Sequence, residues 1–202
     1  MIKVQGKLPH SVYVACSGGV DSMAVVDFLR RKHDVEVIHF NHGNATANAE
    51  QQFVYDYCEK YDIECILGGV NAGDTLPKDT SLEEYWRNCR YAFFEQFASP
   101  ETPVITCHHL DDCVETWIWS SLNGEGKIIP YRNKNVIRPF RLCRKRDLEM
   151  WANLHNVPYI EDASNTDTKF IRNYIRHEMM PKVLKVNPGI HKVIKKKVAV
   201  DV

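Results

Sequence analysis

The segment Ser11–Ser22 constrains this chain more than any other. A short β-branched run, SVYVA, passes without a spacer into CSGGVDS and then into the helical pattern Met23, Val26, Phe28, Leu29. That is a strand, a glycine turn and a helix in direct succession. The alternation continues downstream: VEVIHF (35–40), residues 64–69 and TPVITC (102–107) read as strands, while residues 47–61, 81–98 and 111–122 read as helices. Strands separated by helices pair in parallel through right-handed crossovers, so the sequence predicts an α/β fold, an open parallel sheet with helices on both faces. After Gly124 the regularity loosens through GEGKIIPYRNKN and resumes at Ile137. A helix is expected over 146–155, a short strand at VPYI (157–160) and a helix over 169–180, with Pro181 and Pro188 breaking the chain ahead of a basic tail. There is no internal repeat and no low-complexity linker, which predicts one domain over residues 1–202 with a basic helical C-terminal segment from about residue 165.

At 202 residues and 44% apolar content, the chain can bury a sizeable core. No apolar run approaches the roughly 20 residues of a membrane-spanning helix, and Met1–His10 lacks a signal-peptide layout, so no membrane association is expected. The seven cysteines (16, 58, 65, 89, 107, 113, 143) include no C-x-x-C pair. Neither a disulfide framework nor a zinc ribbon is indicated, and reduced thiols fit the cytoplasm. The zero net charge hides a segregation: residues 1–115 hold 9 Lys/Arg against 18 Asp/Glu, and residues 116–202 hold 17 against 8. An acidic body with a basic flank suits a polyanion, although a solvated face laced with salt bridges has the same composition.

Three stretches carry chemistry. Ser17-Gly18-Gly19-Val20-Asp21-Ser22 falls at the carboxyl end of the first strand, where open parallel sheets bind ligands. Two glycines admit a phosphate close to the backbone, turn and helix N–H groups face it, and two hydroxyls add donors. The pattern is neither a Walker A motif nor G-x-G-x-x-G. In TCHHLDDCVET (106–116), Asp112 and Glu115 are three apart and share a helix face; with Asp111 they offer carboxylates for Mg²⁺ or an ammonium group. His39, His42, His108 and His109 raise a transition-metal hydrolase as a competitor, which leaves SGGVDS without a purpose. In the third stretch, Asp162, Ser164 and Asn165 are turn formers, and Arg172 and Arg176 are four apart on one helix face suited to phosphate. Trp117 and Trp119 are two apart and cannot share a face, so neither is assigned a function.

SGGVDS after a first strand resembles the PP-loop of the ATP pyrophosphatases, which cleave ATP between its α and β phosphates. With NHG followed by Glu50, SLEEYWRNCRY, HHLDDCVET, IRPF and EDASNTDTKFIRNYIRHEMMPKV, in this order over roughly residues 12–190, the chain resembles the tRNA(Ile)-lysidine synthetases. That resemblance implies a Rossmann-like PP-loop fold and a cytoplasmic, RNA-binding ligase. With ATP and Mg²⁺ it would adenylate the wobble cytidine of tRNA(Ile) bearing a CAU anticodon, then attach free L-lysine and release AMP. It also implies that Ser17 to Ser22 hold ATP and that Asp21 and Asp111 face the metal. Asp112, Glu115 and His108 then lie at the lysine amine and the reaction centre. Arg172 and Arg176 lie near the nucleotide and the cytidine, and Arg87 and Arg90 match a basic pair. The segment 123–135 is shorter than the family's glycine-rich loop, and Asn44-Ala45 stand where Leu-Arg commonly follow H-G. A homodimer or a separate tRNA-binding chain stays open by analogy. So do two other functions, another PP-loop adenylating enzyme (a tRNA thiolase or a small-molecule amidating enzyme) and a non-catalytic nucleotide- or RNA-binding relative. The thiolases similar to it carry paired C-x-x-C cysteines, absent here.

Overall fold

Strand β1 (Ser11–Ala15) alternates half-buried with buried side chains, and Val12 and Val14 are wholly enclosed. The enclosed valines mark the more deeply covered face, and the half-buried Tyr13 and Ala15 the other. In the computed structural model, which describes residues 1–70, 77–78, 80–161 and 167–201, five further strands join it: β2 (Asp34–Asn41), β3 (Cys65–Gly69), β4 (Val104–Ile105), β5 (Arg132–Asn133) and β6 (Val136–Ile137). Their order is β3-β2-β1-β4-β6-β5, parallel throughout except for β5 against β6. Tyr13 of β1 pairs with Glu36 on one side and Val104 on the other. The chain thus builds outward from β1 through β2 and β3, then returns to the opposite edge of β1 with β4. A crevice opens at such a reversal, beyond the carboxyl ends of β1 and β4.

The described helices are α1 (Val20–Leu29), α2 (Ala47–Lys60), α3 (Leu82–Glu95), α4 (Leu110–Leu122), α5 (Lys145–Leu154), α6 (Ile171–Tyr174), α7 (Met180–Val186) and α8 (Ile190–Val200). One core packs Val12, Val14, Val35 and Val37 against α1, α2 and α5. Tyr13, Ala15, Ile38 and Val104, from the other face, pack with Phe94 of α3. Helices therefore cover both faces. Asp27 of α1 is buried and accepts from Arg30 at 2.6 Å, Arg31 at 2.9 Å and the indole of Trp151 at 2.9 Å, which fixes α5 against α1. A third cluster joins Leu110, Cys113, Val114 and Ile118 of α4 to Ile190, Ile194 and Val198 of α8. Each such side chain contributes about 1.5–3 kcal/mol on burial.

The basic tail is helix α8, because Ile190, Ile194 and Val198 recur every fourth residue beneath the lysines. The region after Gly124 departs from the sequence reading in three places. Pro181 does not break the chain, since it occupies the first turn of α7, where a missing N–H leaves no helical bond unmade. VPYI is not a strand: Ile160 N–H donates to the Gly18 carbonyl at 2.9 Å, and the segment docks on the glycine turn instead of the sheet. Residues 132–137 form a hairpin that the sequence did not announce, with Lys134 in the left-handed region (φ 52°) where Gly or Asn is customary.

Candidate active site

The glycine turn is closed by its own side chains. Ser22 Oγ donates to the Gly19 carbonyl at 2.9 Å and accepts from Ser17 N–H at 3.2 Å, while Ser17 Oγ lies 3.3 Å from Ser22 Oγ and accepts from Gly19 N–H at 3.4 Å. Gly18 has φ +87°, and an added Cβ there would meet Val54, Phe53 and Ile160 only in ordinary van der Waals contact. A side chain at this position is strained by the backbone whatever the space. Helix α1 begins at Val20 without a side-chain cap, so the N–H groups of its first turn face the crevice for an incoming anion.

Across the crevice, α4 begins directly after β4 and presents its acids on one face. Glu115, 3% exposed, is gripped by Arg176 through two bonds, Nε to Oε1 at 2.8 Å and Nη2 to Oε2 at 3.0 Å. Asp112 Oδ1 accepts from Arg172 at 3.2 Å and Arg176 at 3.4 Å, and its Oδ2 accepts from the His109 N–H at 2.9 Å. Burial disfavours a charge on Asp112, yet His109 and Arg172 overcome it and hold the carboxyl well below the usual range. Asp112 is therefore an anion and a poor proton acceptor. The spacing of three between the acids and of four between the arginines thus brings together one cluster of two carboxylates and two guanidiniums.

Two histidines flank this cluster. His108 Nδ1 lies 3.0 Å from Thr106 Oγ1, and burial, reinforced by Arg172 against the pull of Asp112, pushes its imidazole down to about 3. It is neutral at ordinary pH. His109 caps α4, with Nε2 3.6 Å from Asp21 Oδ2 and Nδ1 3.3 Å from Asp112 Oδ2. Burial opposes its charge, but Asp112 and Asp21 lift it to about 8. Its Nδ1 has two exclusive roles: neutral, it accepts from Asp112 N–H at 3.2 Å, and protonated, it donates to the Asp112 carboxylate.

Asp111 is engaged elsewhere: its Oδ1 takes bonds from Arg144 at 3.1 Å and His191 at 3.0 Å, and its Oδ2 from the Lys145 N–H at 2.8 Å, so both oxygens serve the joint between α4, α5 and α8. Asp162, Ser164 and Asn165 lie outside the described residues.

Two cavities meet at the cluster. The first, about 460 Å³, is lined by the glycine turn (Ser17, Asp21, Ser22), the end of β2 (His39, Phe40, His42), Arg90 of α3, and Asp112 and Arg176. The second, about 450 Å³, is lined by Glu115, Trp119, Glu125, Lys127, Arg138 and Arg87 among others. His108 and Arg172 line both. Asp112 thus faces the first cavity and Glu115 the second, a division that their shared helix face did not reveal. Burial, aided by Arg87 and Arg172, draws the Arg90 guanidinium below its ordinary value, as expected of a cation held in a cavity. Sequence reasoning passed over His39 and His42 except as metal ligands. Their place at the carboxyl end of a parallel strand was the available signal. Trp117 packs into the α4–α8 core, whereas Trp119 is 48% exposed at the rim of the second cavity. Among the described residues no group of three or more His, Cys, Asp or Glu is arranged to hold a metal ion. No described helix is long and apolar enough to cross a membrane.

Comparison with known proteins agrees with this geometry. The chain is 31% identical over 190 residues to a tRNA(Ile)-lysidine synthase of Thermosipho africanus, a match covering 88% of this chain and 44% of that protein. It is 30% identical over 203 residues to the Thermotoga maritima enzyme of the same name, covering 94% and 49%. The chain therefore spans about half the length of the curated relatives it matches. Among solved structures, an NH3-dependent NAD synthetase from Campylobacter jejuni superposes with TM-score 0.54 at 13% identity, covering 97% of this chain and 87% of that one. A phosphoadenylyl-sulfate reductase from Candida auris gives 0.50 at 11%, covering 81% and 80%. Both show the α/β fold alone. The PP-loop domain family matches residues 2–183, over the sheet, the glycine turn and the acid–arginine cluster, and to that family the chain belongs.

Proposed function

We propose that this chain is an ATP-dependent ligase domain that adenylates the wobble cytidine of tRNA(Ile) with a CAU anticodon and joins L-lysine to it, in the cytoplasm. One observation carries the reading: two cavities, one at the glycine turn and one at Glu115, share their boundary at His108 and Arg172. A reaction that activates one substrate with a nucleotide and then adds an amine needs two adjoining sites.

In this reading ATP occupies the first cavity with its β and γ phosphates on Ser17–Ser22. Asp21 Oδ1 is a buried carboxylate oxygen without a partner among the described residues, and Mg²⁺ commonly takes one or two carboxylates together with phosphate oxygens, so the ion fits there. Bound, it would neutralise phosphate charge. The cytidine carbonyl oxygen attacks the α-phosphorus and pyrophosphate leaves; alignment and the cations Arg90, Arg172 and Arg176 lower this barrier. Lysine lies in the second cavity with its amine at Glu115. The ammonium gives a proton to Glu115, the amine attacks C2, and the bond from C2 to the adenylate oxygen breaks as AMP departs. Asp112, too acidic to take that proton, steers the cations, and Glu115 is the carboxylate at the amine.

The cluster also suggests how the substrates enter. Its two carboxylates and two guanidiniums are mutually neutralised in the structure. An arriving triphosphate attracts the arginines while an arriving ammonium replaces them on the acids, so each substrate prepares the place of the other. For tRNA, the exposed lysines 182, 185, 192, 196 and 197 of α7 and α8 offer phosphate contacts. A homodimer or a separate tRNA-binding chain would supply any further grip.

The test is incorporation of labelled lysine into a tRNA(Ile) transcript bearing CAU, with Mg-ATP, by the wild type and Asp112→Asn. Transfer by the wild type that is lost in the variant is the expected result. A folded wild type that binds ATP but transfers no lysine to this transcript would sink the proposal for the chain acting alone.

A further inference from the structure

Three polar atoms lining the first cavity are buried without a partner among the described residues: Asp21 Oδ1, His39 Nε2 and His42 Nδ1. The first suits the phosphate end of a nucleotide. His39 demands a different account. It sits at the carboxyl end of β2 and is 2% exposed, and its Nδ1 lies 2.9 Å from the carbonyl oxygen of Cys16, the residue just before the glycine turn.

A carbonyl can only accept a hydrogen bond, so Nδ1 carries a proton. Burial keeps the ring neutral, lowering its pKa from the ordinary histidine value. A neutral ring has one N–H, and His39 Nε2 is therefore a lone pair looking for a donor. The bond to Cys16 also prevents the ring from flipping to hide that lone pair, since a flipped ring would place carbon at the carbonyl.

Phosphate oxygens at neutral pH are acceptors, as are the carboxylates around the cavity, and none of them pairs with Nε2. In ATP the donors lie elsewhere, on the ribose 2′- and 3′-hydroxyls and the adenine 6-amino group. We propose that His39 is a specificity-determining residue of the nucleotide site, its Nε2 accepting a hydrogen bond from the nucleoside half of ATP, either a ribose hydroxyl or the 6-amino group. This rests on the reading of the first cavity as the ATP site. Because the same ring holds the Cys16 carbonyl, the recognition of the nucleoside is tied mechanically to the strand that delivers the phosphate turn.

The experiment is a set of equilibrium titrations of the full chain with ATP, 2′-deoxyATP, 3′-deoxyATP and purine riboside triphosphate, which lacks the 6-amino group. Wild type is compared with His39→Phe, which fills the space without an acceptor, and His39→Gln, which restores one. The wild type should bind one of the three analogues about five- to tenfold more weakly than ATP, the size of one net neutral hydrogen bond. His39→Phe should bind ATP weaker by the same factor and show no further loss with that analogue, and His39→Gln should recover part of the discrimination. Which analogue is affected identifies the donor.

Equal binding of all four nucleotides by the wild type overturns the proposal and needs no variant that folds. A uniform loss across the series in His39→Phe, with wild-type discrimination retained, also overturns it, because that is the signature of a packing role. A wild type that binds no ATP at all sinks the reading of the cavity itself, an outcome distinct from the other two.

Discussion

The glycine turn and the acid–arginine cluster face each other across one crevice but are built in opposite ways. In the turn, the side-chain bonds of Ser17 and Ser22 span two to six residues. In the cluster, Glu115 is held by Arg176 from 61 residues away and Asp112 by Arg172 from 60. A site made locally forms as soon as its strand and helix do, whereas a site made of distant partners exists only when α4, α6 and the turn after it are all in place. His109 is the joint between the two, within 3.6 Å of Asp21 on one side and 3.3 Å of Asp112 on the other.

The largest effect should come from breaking the cluster alone. Glu115→Gln should lower lysine transfer by about a hundredfold or more, the size of one misplaced preorganised charge, while ATP affinity, measured by direct titration, changes less than about threefold. A matching loss of ATP affinity would show that the two regions are not separable. The next largest tests the joint. Unfolded histidine titrates near 6.5 and folded His109 near 8, so its stabilising contribution is complete below pH 6.5 and disappears as the pH rises through 8. That amounts to about 2 kcal/mol of unfolding free energy. Urea melts between pH 6 and 9 should show this decline in the wild type and a flat profile in His109→Asn, which keeps a capping side chain without a titrating ring. The same slope in both proteins would remove His109 from this role.

The smallest effect sharpens the comparison. If phosphate and ammonium exchange partners at the cluster, lysine should bind on the order of tenfold more tightly when ATP is present, and ATP by the same factor with lysine. Calorimetric titration in both orders measures it. Independent affinities would mean that Arg172 and Arg176 stay on the acids throughout.

Legibility in the sequence divides along the same line. SGGVDS could be read as a phosphate turn because everything that makes it one lies within six residues. Asp112 and Glu115 announced a common face by spacing, and Arg172 and Arg176 did so separately, but no periodicity says that the two faces meet. Asp111 looked equivalent to its neighbour; its partners Arg144, Lys145 and His191 come from 33 to 80 residues downstream, beyond any local pattern. In α8 the lysines dominate the composition while Ile190, Ile194 and Val198 carry the fold. VPYI has the composition of a strand, and Ile160 spends its N–H on Gly18 instead.

Residues Ile175–Met179 form a π turn between α6 and α7. Such a turn holds one residue more than the α-helix around it. Arg176 grips Glu115 from within it, and Ile175 is buried beside α4. Chain length is consequently a functional quantity here. Removing a single residue would restore an ordinary α-turn and leave α7 on the α4–α8 core, while the direction of the residues inside the turn, Arg176 among them, changes by up to about 100°. The grip on Glu115 is therefore sensitive to chain length at a place where the packing of α7 is not.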